Sequence, residues 1–379
     1  MTDPRPQTPD PRSLTPAPRP PIKVLIVEDS KVVQEFLVHI LTSNPAIQVV
    51  GIAENGEEAI EAAAKKRPDV ITMDVHMPKV DGFEATRTIM ETAPTPIVIV
   101  TGSLRTKELA LTFRALEAGA LAVVLRPPGI GHPEHEAAVR ELIQTVKLMS
   151  EIKVVRRHPV AKERALPPTA RIEIRKTAAE IQAVAIGAST GGPPVLQQIL
   201  SGLPQDFPVP VLIVQHISAG FTKGFVEWLS DTTRFPVCIA SHGEYPLPGQ
   251  GYVAPDGFHL GIGNGPRIVL SDHAPENGLR PSVAYLFRSV AQTLGPNAVG
   301  VLLTGMGRDG AVELKEMKDK GAVTIVQDKE SSVVHGMPGE AVALNAHAYV
   351  LPPDKIATLL GTLTGKRSNS KTKVEWRKP

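Results

Sequence analysis

From Ile22 onward the chain alternates short apolar runs with amphipathic stretches, the patterns of buried strands and of helices packed against them. The first half predicts strands at Ile22–Val27, Gln48–Ile52, Val70–Met73, Ile97–Val100 and Leu121–Leu125. Helices are predicted between and after them, over Val32–Leu41, Glu57–Lys66, Phe83–Met90, Lys107–Ala118 and about Glu134–Met149. Five β-α units imply an α/β domain with a doubly wound, five-stranded parallel sheet, because parallel neighbours need helical crossovers. Residues 151–180 break the rhythm; they are rich in Lys and Arg, contain Pro159, Pro167 and Pro168, and read as a linker, helical in part.

The rhythm resumes with strands at Ile181–Ile186, Val209–Val214, Ala298–Leu303 and Val323–Val326. The helices expected with them start at Pro193, Phe221, Val283, Val312 and Pro353. Between Pro236 and Leu270 the chain is rich in Gly and Pro and reads as short strands and turns. This is a second α/β domain with a mostly parallel sheet. The expected organisation is a Pro-rich arm over 1–21, too polar to bury a core, a first domain over 22–150, the linker, a second domain over 181–365 and a polar tail over 366–379.

Ligands of such sheets bind at the carboxyl ends of the strands. In the first domain those ends carry Glu28-Asp29, Asp74, Thr101 and Arg126. Taken singly, each acid reads as a solvated loop residue. Three carboxylates converging on one edge repel each other unless a hard cation neutralises them, which points to Mg²⁺.

In the second domain an apolar strand leads into Gly187-Ala188-Ser189-Thr190-Gly191-Gly192 and then into a helix with prolines in its first turn. Gly187, Ser189 and Gly191 satisfy the G-x-S-x-G pattern of a nucleophile elbow, with free N–H groups at the helix start to meet an oxyanion. A glycine-rich turn or a phosphate cradle is the competing reading, although the Lys of a P-loop and the G-x-G-x-x-G spacing are both missing. The next strand ends in Gln215-His216, and a later one is followed by Thr304-Gly305-Met306-Gly307-Arg308-Asp309-Gly310. If the strands are parallel, Ser189, His216 and Asp309 gather on one edge as nucleophile, base and orienting acid. The loop residues His242, His259, His273, His335 and Asp272 compete for these roles; position at a strand end favours His216 and Asp309. The order Ser, His, Asp is not that of the α/β-hydrolases.

Charge and length narrow the partners. Lys and Arg number 41 against 39 Asp and Glu, so no global charge recommends nucleic acid or an anionic membrane. No apolar run approaches the roughly 20 residues of a bilayer span, and the N-terminus lacks a signal core. A single cysteine, Cys238, excludes an intrachain disulfide framework. A cytoplasmic protein is expected.

Residues 22 to about 150 resemble the receiver domain of two-component response regulators, on Val27-Glu28-Asp29-Ser30, Met73-Asp74-Val75-His76-Met77-Pro78 and Asp81-Gly82. The resemblance implies that Asp74 accepts phosphate, that Glu28, Asp29, Asp74 and the backbone carbonyl of His76 hold Mg²⁺, and that Thr101 and Arg126 sense the phosphoryl group. Arg126 stands where that family has lysine, and Val123 where an aromatic switch residue is common. Residues 181 to about 362 resemble the chemotaxis protein-glutamate methylesterases, the CheB family. The stretches that carry it are Gly187–Gly192, Val214–His216, Arg280-Pro281-Ser282-Val283, Leu303–Ala311 and Ser331–Val334 with Gly336-Met337-Pro338. This second resemblance implies a Ser189–His216–Asp309 triad bordered by Thr190 and Met306, with no cofactor for the hydrolase. It also implies demethylation of glutamate γ-methyl esters, and deamidation of glutamines, on methyl-accepting chemoreceptors, with a chemotaxis histidine kinase as phosphodonor. Ala284 departs from the pattern, where an Asp often follows the Arg-Pro-Ser-Val run. Two other readings stay open: a receiver-regulated hydrolase of a different ester or amide, and a non-catalytic phosphate sink or docking regulator.

Overall fold

The computed structural model describes residues 20–102, 106–152, 154 and 180–365. Nearly all of the expected arm and linker, and the polar tail, lie outside the described residues. The first half runs β1 (Ile22–Val27), α1 (Lys31–Thr42), β2 (Ile47–Ala53), α2 (Gly56–Lys66), β3 (Val70–Met73), α3 (Gly82–Thr92), β4 (Ile97–Thr101), α4 (Thr106–Ala118), β5 (Ala122–Leu125) and α5 (His135–Ser150). Its five strands form a parallel sheet in the order β2-β1-β3-β4-β5. Helices cover both faces, which is why Val24 to Val27 are apolar without alternation and fully buried. The order switches direction between β1 and β3, so the loops after those two strands part and leave a crevice. Local signals set the helix starts. Asn55 accepts the N–H of Glu58 while Glu58 accepts that of Glu54, and Asp81 accepts the N–H of Glu84 at the start of α3.

The second half runs β6 (Ala183–Ala188), α6 (Gly192–Ser201), β7 (Val211–Gln215), α7 (Thr222–Thr233), β8 (Val237–Ile239), β9 (Gly251–Val253), β10 (His259–Ile262), β11 (Ile268–Ser271), α8 (Val283–Thr293), β12 (Ala298–Leu302), α9 (Ala311–Asp319), β13 (Val323–Gln327), α10 (Met337–Ala343), β14 (Tyr349–Leu351) and α11 (Pro353–Thr364). Seven strands form a sheet in the order β14-β13-β12-β6-β7-β9-β8, parallel throughout, and β10 and β11 make a separate antiparallel pair. Strand β6 runs two residues past its predicted end, because Gly187 and Ala188 still pair with Val214 and Gln215. The sequence pattern does not reveal α10 or β14: seven and three residues are too short for either period to register.

The two halves are in contact. Helix α4 lies against α6 and α7. Phe113 of α4 is buried against Trp228 and Phe225 of α7, with ring centroids 5.4 and 5.7 Å away. Such pairs contribute about 0.5–1.5 kcal/mol each beyond the area they bury. At the rim, Gln197 donates to Glu117 at 2.6 Å, and Ser218 Oγ donates to Glu141 at 2.6 Å. The α4–β5–α5 side of the first domain therefore faces the carboxyl edge of the second sheet.

Candidate active site

The register of the second sheet aligns three strand ends. Leu302 of β12 pairs with Gly187 of β6, and Ala188 pairs with Gln215 of β7. Ser189 and His216 therefore leave the sheet side by side. The ladder continues past the strands, with the N–H of Ser189 donating to Thr304 O at 3.0 Å and that of His216 to Ala188 O at 2.9 Å. Gly191 then takes φ 77°, a region open to glycine, and Gly192 N–H donates back to Ser189 O at 2.8 Å. The chain turns at once into α6, with Pro193 and Pro194 in its first turn. The loop after β12 closes onto the same corner. A Cβ on Gly305 would lie 2.6 Å from Ser189 Cβ, so the approach needs glycine there.

Asp309 is 4% exposed and its carboxylate is fully engaged. Oδ2 accepts from His216 Nε2 at 3.0 Å and from Val283 N–H at 2.7 Å. Oδ1 accepts from Ser282 Oγ at 2.9 Å and from Ala284 N–H at 3.2 Å. Burial alone would raise this carboxyl. The bond and charge of His216, followed by Val283 N–H and Ser282, outweigh it and hold Asp309 below the usual carboxylate range. The N-terminus of α8 adds its favourable dipole.

With Nε2 engaged by Asp309, Nδ1 of His216 makes no hydrogen bond among the described residues. The Ser189 hydroxyl makes no hydrogen bond among the described residues; such contacts commonly tighten only when substrate binds. The N–H groups of Thr190 and Met306 likewise have no partner among the described residues. Ser189, Thr190, His216 and Met306 line a cavity of about 400 Å³ whose opposite wall is Leu121, Val123, Thr145 and Met149 of the first domain.

None of the competing histidines bonds to Ser189 or Asp309 among the described residues, although His335 forms a backbone bridge with Gly305 beside Ser189. His242 accepts the N–H of Leu270, and His335 pairs with Ser332 on the loop after β13. Asp272 and His273 sit in an exposed turn held by Arg280 through their carbonyls. His259 is buried behind Ser282. What sequence reasoning missed is the support of Asp309. Ser282 stands at the N-cap of α8, and its hydroxyl makes no bond to that helix but donates to Asp309. A serine before a helix reads as an ordinary cap, so only the fold reveals the second use. Ala284 contributes its backbone N–H alone.

On the first sheet, carboxylate oxygens of Glu28, Asp29 and Asp74 come within 4.8 Å of one another. Burial, then the charge of Asp74, pushes Glu28 up to about 7. Burial also raises Asp74, against hydrogen bonds from the N–H groups of Val75 and His76. Arg126 Nη1 approaches Glu28 Oε2 only to 3.8 Å. Thr101 is buried at the end of β4, and its carbonyl accepts the N–H of Arg126 at 2.8 Å. Three hard oxygen ligands with uncompensated repulsion suit a hard divalent cation, so the residues present fit Mg²⁺.

The CheB methylesterase family matches residues 184–360, and the response regulator receiver domain matches residues 24–132. The protein-glutamate methylesterase/protein-glutamine glutaminase of Nitrosospira multiformis is 56% identical over 353 residues, covering 92% of this chain and 99% of its own. Protein 1 of the same name from Syntrophus aciditrophicus is 57% identical, covering 91% and 99%. Among solved structures, the CheB methylesterase catalytic domain of Thermotoga maritima is 37% identical and covers 49% of this chain and 100% of its own, with a TM-score of 0.47.

Proposed function

The chain belongs to the CheB methylesterases with an N-terminal receiver domain, and from that premise we propose that it hydrolyses glutamate γ-methyl esters on chemoreceptors under control by phosphorylation. The observation that carries the reading is the alignment of Ser189, His216 and the four-fold-bonded Asp309 on one sheet edge.

Ser189 Oγ attacks the ester carbonyl carbon as His216 Nδ1 takes its proton. The N–H groups of Thr190 and Met306 stabilise the oxyanion of the tetrahedral intermediate. Asp309 holds the ring through Nε2–H and stabilises the imidazolium that forms. His216 returns the proton to the leaving methoxide, and methanol departs from an acyl-enzyme. Water, deprotonated by His216, then attacks that acyl group; the Ser189–carbonyl bond breaks and a glutamate carboxylate is released. A glutamine side chain follows the same course with ammonia leaving, which makes the deamidase activity a consequence of one site.

In the receiver, Asp74 accepts the phosphoryl group from a chemotaxis histidine kinase. Glu28, Asp29, Asp74 and the carbonyl of His76 would hold Mg²⁺, which when bound would supply positive charge to offset that of the phosphoryl group. Thr101 and Arg126, at the ends of the strands flanking α4, bind the phosphoryl oxygens and shift the face that covers the catalytic edge. No helix among the described residues is long and apolar enough to cross a membrane, and we place the enzyme in the cytoplasm, acting on the cytoplasmic part of its receptors.

Methanol release from methylated receptors tests the catalytic reading. Ser189→Ala should lose about 10⁴-fold or more in turnover with its fold intact. Turnover within tenfold of the parent, with contaminating esterase excluded, would remove Ser189 from the mechanism.

A further inference from the structure

His259 opens β10 with 0% exposure and takes no part in the steps above. Its ring stacks on Tyr285 of α8, centroids 4.8 Å apart and planes 16° from parallel. Both nitrogens are engaged: Nδ1 lies 3.2 Å from the backbone nitrogen of Ser282, and Nε2 lies 3.2 Å from the carbonyl oxygen of Ala274. A backbone N–H only donates and a carbonyl only accepts. Nδ1 must therefore carry the lone pair and Nε2 the proton, which makes the ring neutral and fixes its tautomer.

What this ring holds is the N-terminus of α8. Ser282 is fully buried, its N–H is anchored on His259, and its hydroxyl donates to Asp309. The next two N–H groups, of Val283 and Ala284, donate to the same carboxylate. A continuous line of hydrogen bonds thus runs from Ala274 through His259 and Ser282 to Asp309, and from there to His216. We infer that His259 is a positioning residue for the hydrolysis, aiming the Asp309 carboxylate at His216 through Ser282 and the start of α8. This rests on the Ser189–His216–Asp309 reading. Remote displacements of about 1 Å can cost as much as about 100-fold in rate, so the effect should be visible in turnover.

Four variants of the full chain test it. His259→Phe keeps an aromatic ring against Tyr285 and removes both hydrogen bonds. His259→Asn places a carbonyl oxygen near the position of Nδ1 and keeps an acceptor for Ser282. Ser282→Ala removes the next link, and the fourth variant combines His259→Phe with it. His259→Phe should lower kcat about 10- to 100-fold with KM within about twofold of the parent, and His259→Asn should recover to within about fivefold. The double variant should be no worse than the poorer single one, because both changes break the same line. Parental kcat in His259→Phe, a rise in KM alone, or a double loss equal to the product of the single ones would each overturn the inference. If melting curves show that His259→Phe does not fold, His259→Asn and Ser282→Ala decide. A kcat in Ser282→Ala equal to the parent's overturns the inference; a reduced kcat there, with His259→Asn near the parent, supports it. Ser189→Ala runs alongside: its activity, if retained, would sink the triad instead.

Discussion

The two sheets of this molecule place acids at equivalent edges and treat them in opposite ways. On the hydrolase sheet, Asp309 is buried and surrounded by four donors, which hold its carboxyl below the ordinary range. On the receiver sheet, Glu28 and Asp74 are driven upward by burial and, for Glu28, by the charge of its neighbour, with one guanidinium at 3.8 Å as partial relief. The first site is electrostatically complete within the protein. The second is complete only when a cation and a phosphoryl group arrive. In the proposed mechanism, control therefore has no need to assemble the proposed triad; it can act on access, through the receiver face that already forms one wall of the cavity.

The comparison breaks first, and most widely, if the hydrolase site is not self-sufficient. Asp309→Asn should cost on the order of 10⁴-fold in turnover, and His216→Ala a comparable amount. Together they should cost little more than either alone, since the two residues act as one unit. Multiplied losses in methanol-release assays would mean that the carboxylate works apart from His216.

Access is the next largest effect. Phe113→Arg puts a charge against Trp228 and Phe225 and should separate the domains, raising basal methylesterase activity on the order of tenfold without phosphodonor. Asp74→Asn should keep the low basal rate and lose its response to a small-molecule phosphodonor with Mg²⁺. Equal rates in parent, Phe113→Arg and Asp74→Asn, with phosphorylation of the parent confirmed by mass, would leave the receiver as a docking module only.

The incomplete site predicts a pH dependence of known sign. Glu28 is raised from 4.5 to about 7. Between those values the unfolded chain loses the proton while the folded chain retains it, so stability falls as pH rises through that window, on the order of 1–3 kcal/mol. Below 4.5 that contribution is fully present, and above 7 the loss is complete. A divalent cation stabilises the ionised form, so MgCl₂ should raise Tm little at pH 5 and by several degrees at pH 7.5. A Mg²⁺ effect independent of pH, or one that survives Glu28→Gln unchanged, would contradict this account of the site.

Much of this was legible in the sequence, for a physical reason. Parallel strands buried on both faces are written as uninterrupted apolar runs, and the residue after each run must lie at the carboxyl edge. That argument places Asp74, Thr101, Ser189 and His216 where they are found at strand ends. Asp309 followed less directly, because it lies seven residues beyond β12 and is brought back by a loop that closes over Ser189. Ser282 and His259 were not legible in their roles. Their partners lie 27 and 23 residues away, and no period in the pattern links the antiparallel pair β10–β11 to the start of α8. The docking of α4 on α7 was equally hidden, because no local pattern links Phe113 to Trp228.

The smallest effect concerns Arg126, the cation that stands where the receiver family has lysine. The structure shows what makes room for it. Its guanidinium lies over Gly102, where an added Cβ would come 2.2 Å from Nη2 and 2.6 Å from Cζ. Gly102 is exposed and has no left-handed φ that would forbid a side chain, so contact with Arg126 is the constraint. Gly102→Ala should fold normally, since the far end of an arginine can move, but it should displace the guanidinium from Glu28 and Asp74. Bidentate contact with a phosphoryl group would then be harder to reach, and activation by phosphodonor should weaken about two- to fivefold at unchanged basal rate. Arg126→Lys replaces the planar fork by a slimmer ammonium and should by itself keep most of the response. In that background Gly102→Ala should cost little, because the clash is with the guanidinium and not with a cation as such. Equal weakening by Gly102→Ala in both backgrounds would show that Gly102 serves the loop after β4 rather than Arg126.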